Sequence, residues 1–472
     1  MTSARTIALV GARIAAGVLA LGVGAATIGV AAFAPVPEIV ADPPSVRVVP
    51  ADSREVRACA GPVVALAEDA AAATTATALG SPDVVAGPVP ADAAVDVADA
   101  VAPDVPGAAI AWFSTEPGEV EPGMLAAASS QETTSERVAG FAASACVEPA
   151  AEAWLVGGAV SVGRTSVVSL VNVGDVAATV RLDVHSELGL LETAATNLVV
   201  APGTQRLVAL AGIAPDARSP VVHVVSTGGR IAATLQQSIV RGLDPDGVEI
   251  VGPGELPATE LVIAGVARGV ETEADPDHAA EDDVATIVRL LAPGDDDAEA
   301  VVAFHDADGG TLAQAGVTLR AGLVADVPVP AVGAARVDVR VSSDVPVVAA
   351  ARSTAGDPDG DGGSDFAWYP AAPALDEATA VAIAPGPSPR LVLASDGDAA
   401  EVRLTDGAGA ERTVSVPAGG SASVAVSAGD VLRLDDARGV HASVTYEDSS
   451  AAAAYAVLPP GALDAPLRVY PR

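Results

Sequence analysis

Leu391–Gly419 reads LVLASDGDAAEVRLTDGAGAERTVSVPAG. Three runs rich in Val and Leu, Leu391–Gly397, Ala400–Thr405 and Val414–Gly419, are separated by Asp/Gly/Ala segments. Within Ala400–Thr405 and Val414–Gly419, apolar residues alternate with polar ones, the period of a strand buried on one face. Gly and Asp between the runs supply turn geometry, Gly by tolerating positive φ and Asp by bonding its own backbone.

The same order of runs occurs twice more. Val167–Gly174 (VVSLVNVG) and Ala285–Gly294 (ATIVRLLAPG) each end at a Gly turn, as Leu391–Gly397 does. Ala178–Val184 and Ala300–His305 correspond to Ala400–Thr405; Leu198–Gly203 and Val317–Gly322 correspond to Val414–Gly419. Later runs also recur. Arg137–Val147 (RVAGFAASACV) aligns without a gap on Arg230–Val240 (RIAATLQQSIV), and Pro346–Ala355 and Val440–Ser449 hold the same place. Each is followed by a further strand: Ala153–Gly157, Val248–Gly252, Phe366–Pro370 and Ala454–Leu458. Six or seven short strands in a unit of roughly 100 residues predict a β-sandwich of immunoglobulin-like size. Propeller blades are shorter, and one polar face per strand favours antiparallel sheets over βαβ units. The expected fold is all-β: tandem immunoglobulin-like units at 39–157, 158–253, 254–372 and 373–472, after an N-terminal segment 1–38. The first unit is a looser fourth copy, and its alanine-rich Leu66–Leu79 reads as a helix or a linker.

Composition narrows the function. The chain of 472 residues is 50% hydrophobic but only 3% aromatic, so its cores are built from Ala, Val and Leu. The net charge is −36 and every basic residue is Arg. Such a polyanion is repelled by nucleic acid and by anionic lipid surfaces.

Ile14–Phe33 is a run of twenty uncharged residues. As a helix it would extend about 30 Å, the thickness of a bilayer core. Arg5 and Arg13 precede it, and Glu38 and Asp42 are the first charges after it. The positive-inside rule then gives a single-pass anchor with a cytoplasmic N-terminus and an extracytoplasmic body. A cleaved signal peptide is the alternative, with Ala32-Phe33-Ala34 as its site, although Pro35 would follow the cut. Both readings export the body. Cys59 and Cys146 are the only cysteines, one in an early strand of the first unit and one in a late strand. In an exported chain such a pair is expected to be a disulfide.

The anchor, Cys59-Ala60-Gly61-Pro62, Ser144-Ala145-Cys146 with Pro149 and Trp154-Leu155-Val156-Gly157-Gly158, and the repeated strand–Gly–strand pattern together resemble an actinobacterial envelope family, domain of unknown function 5719. The resemblance implies a location and a shape, and no activity.

Catalytic signatures are scarce. There is no G-x-S-x-G, no C-x-x-C or H-E-x-x-H, and no lysine for a phosphate-binding loop. The five histidines, His185, His223, His278, His305 and His441, are isolated in sequence and read as structural. Asp357-Pro358-Asp359-Gly360-Asp361-Gly362 has the opening of a calcium loop, with Asp365 as a further oxygen donor and Trp368 where the twelfth-position Glu belongs. The competing reading is an Asp/Gly/Pro turn between strands, as at Asp244-Pro245-Asp246-Gly247. Asp295–Asp297 and Glu281–Asp283 read as solvated acids. No organic cofactor is expected; calcium is the one ion considered.

The sequence therefore favours a non-enzymatic, anchored scaffold that contacts an envelope protein or polymer. A calcium-dependent binding or adhesion module and a cell-wall glycan-acting enzyme are the alternatives. Peptide mapping without reductant is expected to recover Cys59 joined to Cys146; two free thiols in envelope-derived protein would exclude the bridge.

Overall fold

In the computed structural model the described residues are 11–13, 15–23, 25, 46–48, 54–66, 75–192, 195–215, 217–269, 285–356, 363–461 and 467–469. The chain divides into two compact units, Pro50–Ala465 and a smaller one of Met1–Val49 with Pro466–Arg472. In the smaller unit, 11–13, 15–23 and 25 are helical, and Val46–Val48 pairs antiparallel with Leu467–Val469. Among the described residues no helix is long and apolar enough to cross a membrane. The remainder of the predicted anchor lies outside the described residues.

Within Pro50–Ala465 the described strands pair antiparallel, except for one parallel contact between Thr204 and Val101. The pattern is clearest around Arg336–Gly356, a strand of 21 residues. Its first half pairs with Ala258–Ala267 and Ala298–His305, and the latter with Thr311–Leu319. Its second half pairs with Ile287–Leu291 and Ser364–Pro370, and Ile287–Leu291 with Val324–Pro328. The long strand thus passes from one four-stranded layer into another. Exposed Pro346, which has no N–H to leave unpaired, stands where the partners change. Val337, Val339 and Val341 alternate inward and meet Leu261, Ile263 and Phe304 in the core.

The two-layer arrangement recurs. In the next repeat Thr379–Ala382, Val431–Asp435, Ala400–Thr405 and Glu411–Val416 form one layer. Ser421–Ala425, Arg390–Ser395, Val440–Glu447 and Ala452–Ala456 form the other. In the preceding repeat Glu152–Val156, Val221–Gly228 and Ala178–Ser186 face Thr204–Ala209, Arg164–Asn172, Ala232–Arg241 and Asp244–Val251. The first repeat keeps the order with fewer strands: Val56–Ala58, Ala109–Ser114 and Asp96–Val101 in one layer, Asp83–Pro88, Leu125–Thr134 and Ala139–Ala145 in the other.

These pairings alter two alignments read from the sequence. Ala139–Ala145 is the last strand of its repeat, whereas Ala232–Arg241, which its sequence resembles, is the next to last. Both are sheet segments of small and β-branched residues, and that likeness masks a one-strand offset. Ala153–Val156 pairs with Val221–Val224, inside the following repeat. The alanine-rich stretch begins and ends in a short hairpin, Val64–Leu66 with Ala76–Ala78, and 67–74 lie outside the described residues.

The last strands of the four repeats, Ala139–Ala145, Asp244–Val251, Ser364–Pro370 and Ala452–Ala456, pack in cyclic order around a common axis. They do not pair with one another as a sheet. The join is made instead by Asp365, which is fully buried. Its Oδ2 accepts the amide N–H of Phe141 at 2.7 Å and of Ala452 at 3.4 Å. Its Oδ1 accepts those of Val248 at 3.1 Å and Phe366 at 3.0 Å. One carboxylate therefore holds all four axial strands. Glycine lets them approach: a Cβ on Gly140 (φ 138°) would sit 2.7 Å from the Val248 nitrogen, and one on Gly247 (φ 121°) would sit 2.6 Å from the Phe366 ring.

A second polar join lies beside it. Arg289, buried, makes a two-pronged ion pair with Asp326 (2.8 and 2.9 Å) and donates to the carbonyls of Gly158 and Pro220. Its guanidinium stacks 4.7 Å from the centre of the Trp368 ring, whose Nε1 donates to Gln237 at 2.7 Å. Burial alone would raise the Asp326 carboxyl, but the Arg289 charge and hydrogen bonds outweigh it and hold it below its usual value.

Asp365→Asn keeps the shape but places an NH2 donor against amide donors. It is expected to cost about 3 kcal/mol, the scale of a lost charged hydrogen bond plus an unmet amide. Urea unfolding followed by fluorescence should show one transition for the parent and separated transitions for the variant. Unchanged cooperativity would mean that the hub does not couple the repeats.

Candidate binding site

The axial strands run in one direction, because contacts advance in step along them. Asp365 meets residues 141, 248 and 452, whereas Glu249 is approached by the amides of Ala143 and Ala454, two residues further along. Glu249 is fully buried; its Oε1 accepts the Ile250 N–H at 2.8 Å, and its Oε2 has no hydrogen-bond partner among the described residues. Burial pushes both Glu249 and Asp365 well above the usual carboxyl range, and the Asp365 charge raises Glu249 further. Two carboxyls in one dry site do not both ionise readily. The convergent amides favour the charge on Asp365 and the proton on Glu249.

Beyond this pair the strands end and their chains diverge toward the next repeats. The divergence leaves a cleft of about 540 Å³, within the range of small-molecule sites. Ala126, Ala127, Val147, Ile231, Val457 and Leu458 supply apolar wall. The charged residues are Arg57, Arg230, Glu148, Glu152 and Glu255. Arg57 is committed, donating to Glu55 at 3.0 Å and to Glu148 at 3.4 Å. Glu152 receives Trp154 Nε1 and lies 2.9 Å from His223 Nε2, and the Trp154 and His223 rings stack at 4.0 Å. Arg230, half-buried, has no ion-pair or hydrogen-bond partner among the described residues. Glu255 is half-buried, and its Oε2 has no hydrogen-bond partner among the described residues. Burial first, then the nearby Asp396 charge, push its carboxyl from 4.5 to about 7.

The residues singled out from sequence fall elsewhere, with one exception. Cys59 and Cys146 form a disulfide that ties the layer containing Val56–Ala58 to the layer ending at Ala145, and Cys146 also borders the cleft. Its loop separation of 87 residues gives roughly 4–5 kcal/mol of stabilisation in the chain-entropy account. Asp357, Asp359 and Asp361 lie outside the described residues. Asp365, read as a candidate calcium ligand in that loop, is the buried hub, with both oxygens engaged by amides. Trp368 is likewise buried in the same strand. Asp244–Gly247 begins a strand rather than forming the turn, and Asp246 pairs with Arg241 and accepts from Ser364. Among the described residues no group of three or more His, Cys, Asp or Glu is placed to hold a metal ion. Asp295–Asp297 are exposed. His185, His305 and His441 each direct Nδ1 at a backbone carbonyl.

Sequence reasoning missed Glu249, Glu255 and Arg230. Glu249 carries a usable signal: it is a lone acid in the apolar run Val248-Glu249-Ile250-Val251.

The raised Glu255 carboxyl sets a pH dependence. Its proton is held more tightly when folded, so its contribution is present below 4.5 and lost as pH rises through about 7. Carboxyl-carbon NMR titration is expected to show a midpoint near 7 for Glu255. Glu255→Gln should flatten stability across that window. A midpoint near 4.5 would show an open, hydrated site instead.

No curated protein matches the chain. A match to the family of unknown function (DUF5719) covers residues 100–427, which include the axial strands Ala139–Ala145, Asp244–Val251 and Ser364–Pro370, the buried carboxyl pair and most of the cleft wall. With well over half its length accounted for in this way, the chain belongs to that family of unknown function.

Proposed function

We propose that this chain is a non-enzymatic, membrane-anchored extracytoplasmic scaffold that contacts a component of the cell envelope. Its repeats are read as immunoglobulin-like β-sandwiches in size and layering. The observation that carries the proposal is the Asp365 hub, at which a single carboxylate joins the last strands of four repeats. Such a join makes relative motion of the repeats costly, because any separation strands buried amides and a buried charge. A fixed arrangement of surfaces suits a protein that positions partners. The Cys59–Cys146 bridge fits an oxidising compartment. Ile14–Phe33, preceded by Arg5 and Arg13, supplies the anchor in this reading, with the N-terminus cytoplasmic.

Protease added to wall-stripped cells is expected to degrade the body and leave a small membrane-bound N-terminal fragment. A C-terminal region protected until the membrane is permeabilised would reject the topology. Crosslinking in live cells followed by mass spectrometry is expected to recover the same envelope partner repeatedly; a chain crosslinked to nothing above background would reject the scaffold reading.

A further inference from the structure

The cleft at the end of the axial strands combines an apolar wall with Arg230, a cation that has no partner among the described residues. We propose that it is a binding site for a small amphipathic monoanion, an aliphatic chain ending in a carboxylate, with the carboxylate at Arg230 and the chain against the alanine, valine and leucine wall. This proposal does not depend on the scaffold role above.

Three observations converge on that ligand class. First, a half-buried arginine with no side-chain partner among the described residues is unusual in a chain carrying 61 acidic residues and 25 basic ones. None of the acids bordering the cleft forms an ion pair with it among the described residues: Glu148 is taken by Arg57, Glu152 by Trp154 and His223, and Glu255, whose Oε2 is unpartnered, does not reach it. Arg230 is thus left to an anion from outside. A planar carboxylate suits the guanidinium fork. Second, the wall is built from Ala126, Ala127, Val147, Ile231, Val457 and Leu458, which offer contact to methylene groups and no hydrogen bonds from their side chains. Third, the acids limit the charge of the guest. Glu148 and Glu152 border the same space, as does Glu255, whose carboxyl is charged only above about pH 7, so a second negative charge would meet repulsion after Arg230 had neutralised the first. A monoanion satisfies the site, whereas a phosphate dianion overcharges it and a cation meets Arg230.

The cleft also lies where a guest could be read by several repeats. Its border includes Ala127 and Cys146 from the first repeat, Arg230 and Ile231 from the second, and Ala382 and Val457 from the last. The shared border requires these repeats to be held together, so the site depends on the hub.

Octanoate is a suitable probe, titrated calorimetrically into the full chain in lipid nanodiscs, with empty nanodiscs as the blank. One saturable site per chain is expected. Octanol and octyltrimethylammonium should bind at least tenfold more weakly, and octyl phosphate above its second ionisation should also be weaker than octanoate. Arg230→Met should weaken octanoate at least tenfold and leave octanol unchanged. Because Arg230 has no partner among the described residues, this variant should melt with the parent. Leu256→Glu tests the same site from an exposed position at its border, where Leu256 is 52% exposed, and should also weaken octanoate. Absence of a saturable signal overturns the proposal, as does equal binding of the cationic and anionic probes. Full octanoate affinity in both variants overturns it too. Octyl phosphate binding more tightly than octanoate would overturn the carboxylate assignment in favour of a phosphate-headed amphiphile.

Discussion

A buried carboxylate facing four amide N–H groups is the interaction on which the architecture depends. The axial strands present polar backbone to one another but do not pair as a sheet. Amides turned into a dry interior need acceptors. Asp365 provides them for Phe141, Val248, Phe366 and Ala452, and Glu249 faces the next layer of amides along the axis. The composition of these strands follows from this closeness. Gly140 and Gly247 stand where a side-chain carbon would collide with backbone or ring, and Ala452–Ala454 keep the fourth strand thin. The bulky aromatics Phe366, Trp368 and Tyr369 come from Ser364–Pro370, the strand that also carries the hub acid.

Arg289 and Asp326 solve a different problem at the side of that strand. Removing both charges from water is costly, and the pair recovers the loss only through complete hydrogen bonding. Here the guanidinium reaches a carboxylate, two carbonyls of the preceding repeat and the Trp368 face. An apolar substitute of equal volume could match its stability. It could not match the directional constraint, which fixes one repeat against the next. The cleft is a consequence of the same geometry. The strands are held tightly where the acids sit, and where they end the chains separate to begin new layers, leaving apolar wall without a covering strand.

The repeats were legible in sequence because each sheet layer buries one face. That requirement writes an alternating pattern into Ala400–Thr405 and Val414–Val416, with Val402, Leu404, Val414 and Val416 turned inward. The order of strands was legible for the same reason. Their exact correspondence was not. Ala139–Ala145 and Ala232–Arg241 share a pattern of small residues because both lie in close-packed layers, although one is an axial strand and the other its hairpin neighbour in another repeat. Local pattern records how crowded a strand is, and only pairing records which strand it is.

By itself the sequence determined the all-β class, the scarcity of aromatic core, the large negative charge and the single pair of cysteines able to bridge. Each is a property of composition or of period along the chain. Tertiary structure decided the roles of particular polar residues. Asp365 follows an Asp/Gly-rich run and looks like one more surface acid, yet it is buried because strands from three distant segments bring their amides to it. Arg230, Glu148 and Glu255 are separated by 25 or more residues and share one cleft only after the repeats close around the axis. Burial and unmet hydrogen-bonding capacity arise from what surrounds a side chain, and those surroundings are assembled from chain segments that sequence spacing does not bring together.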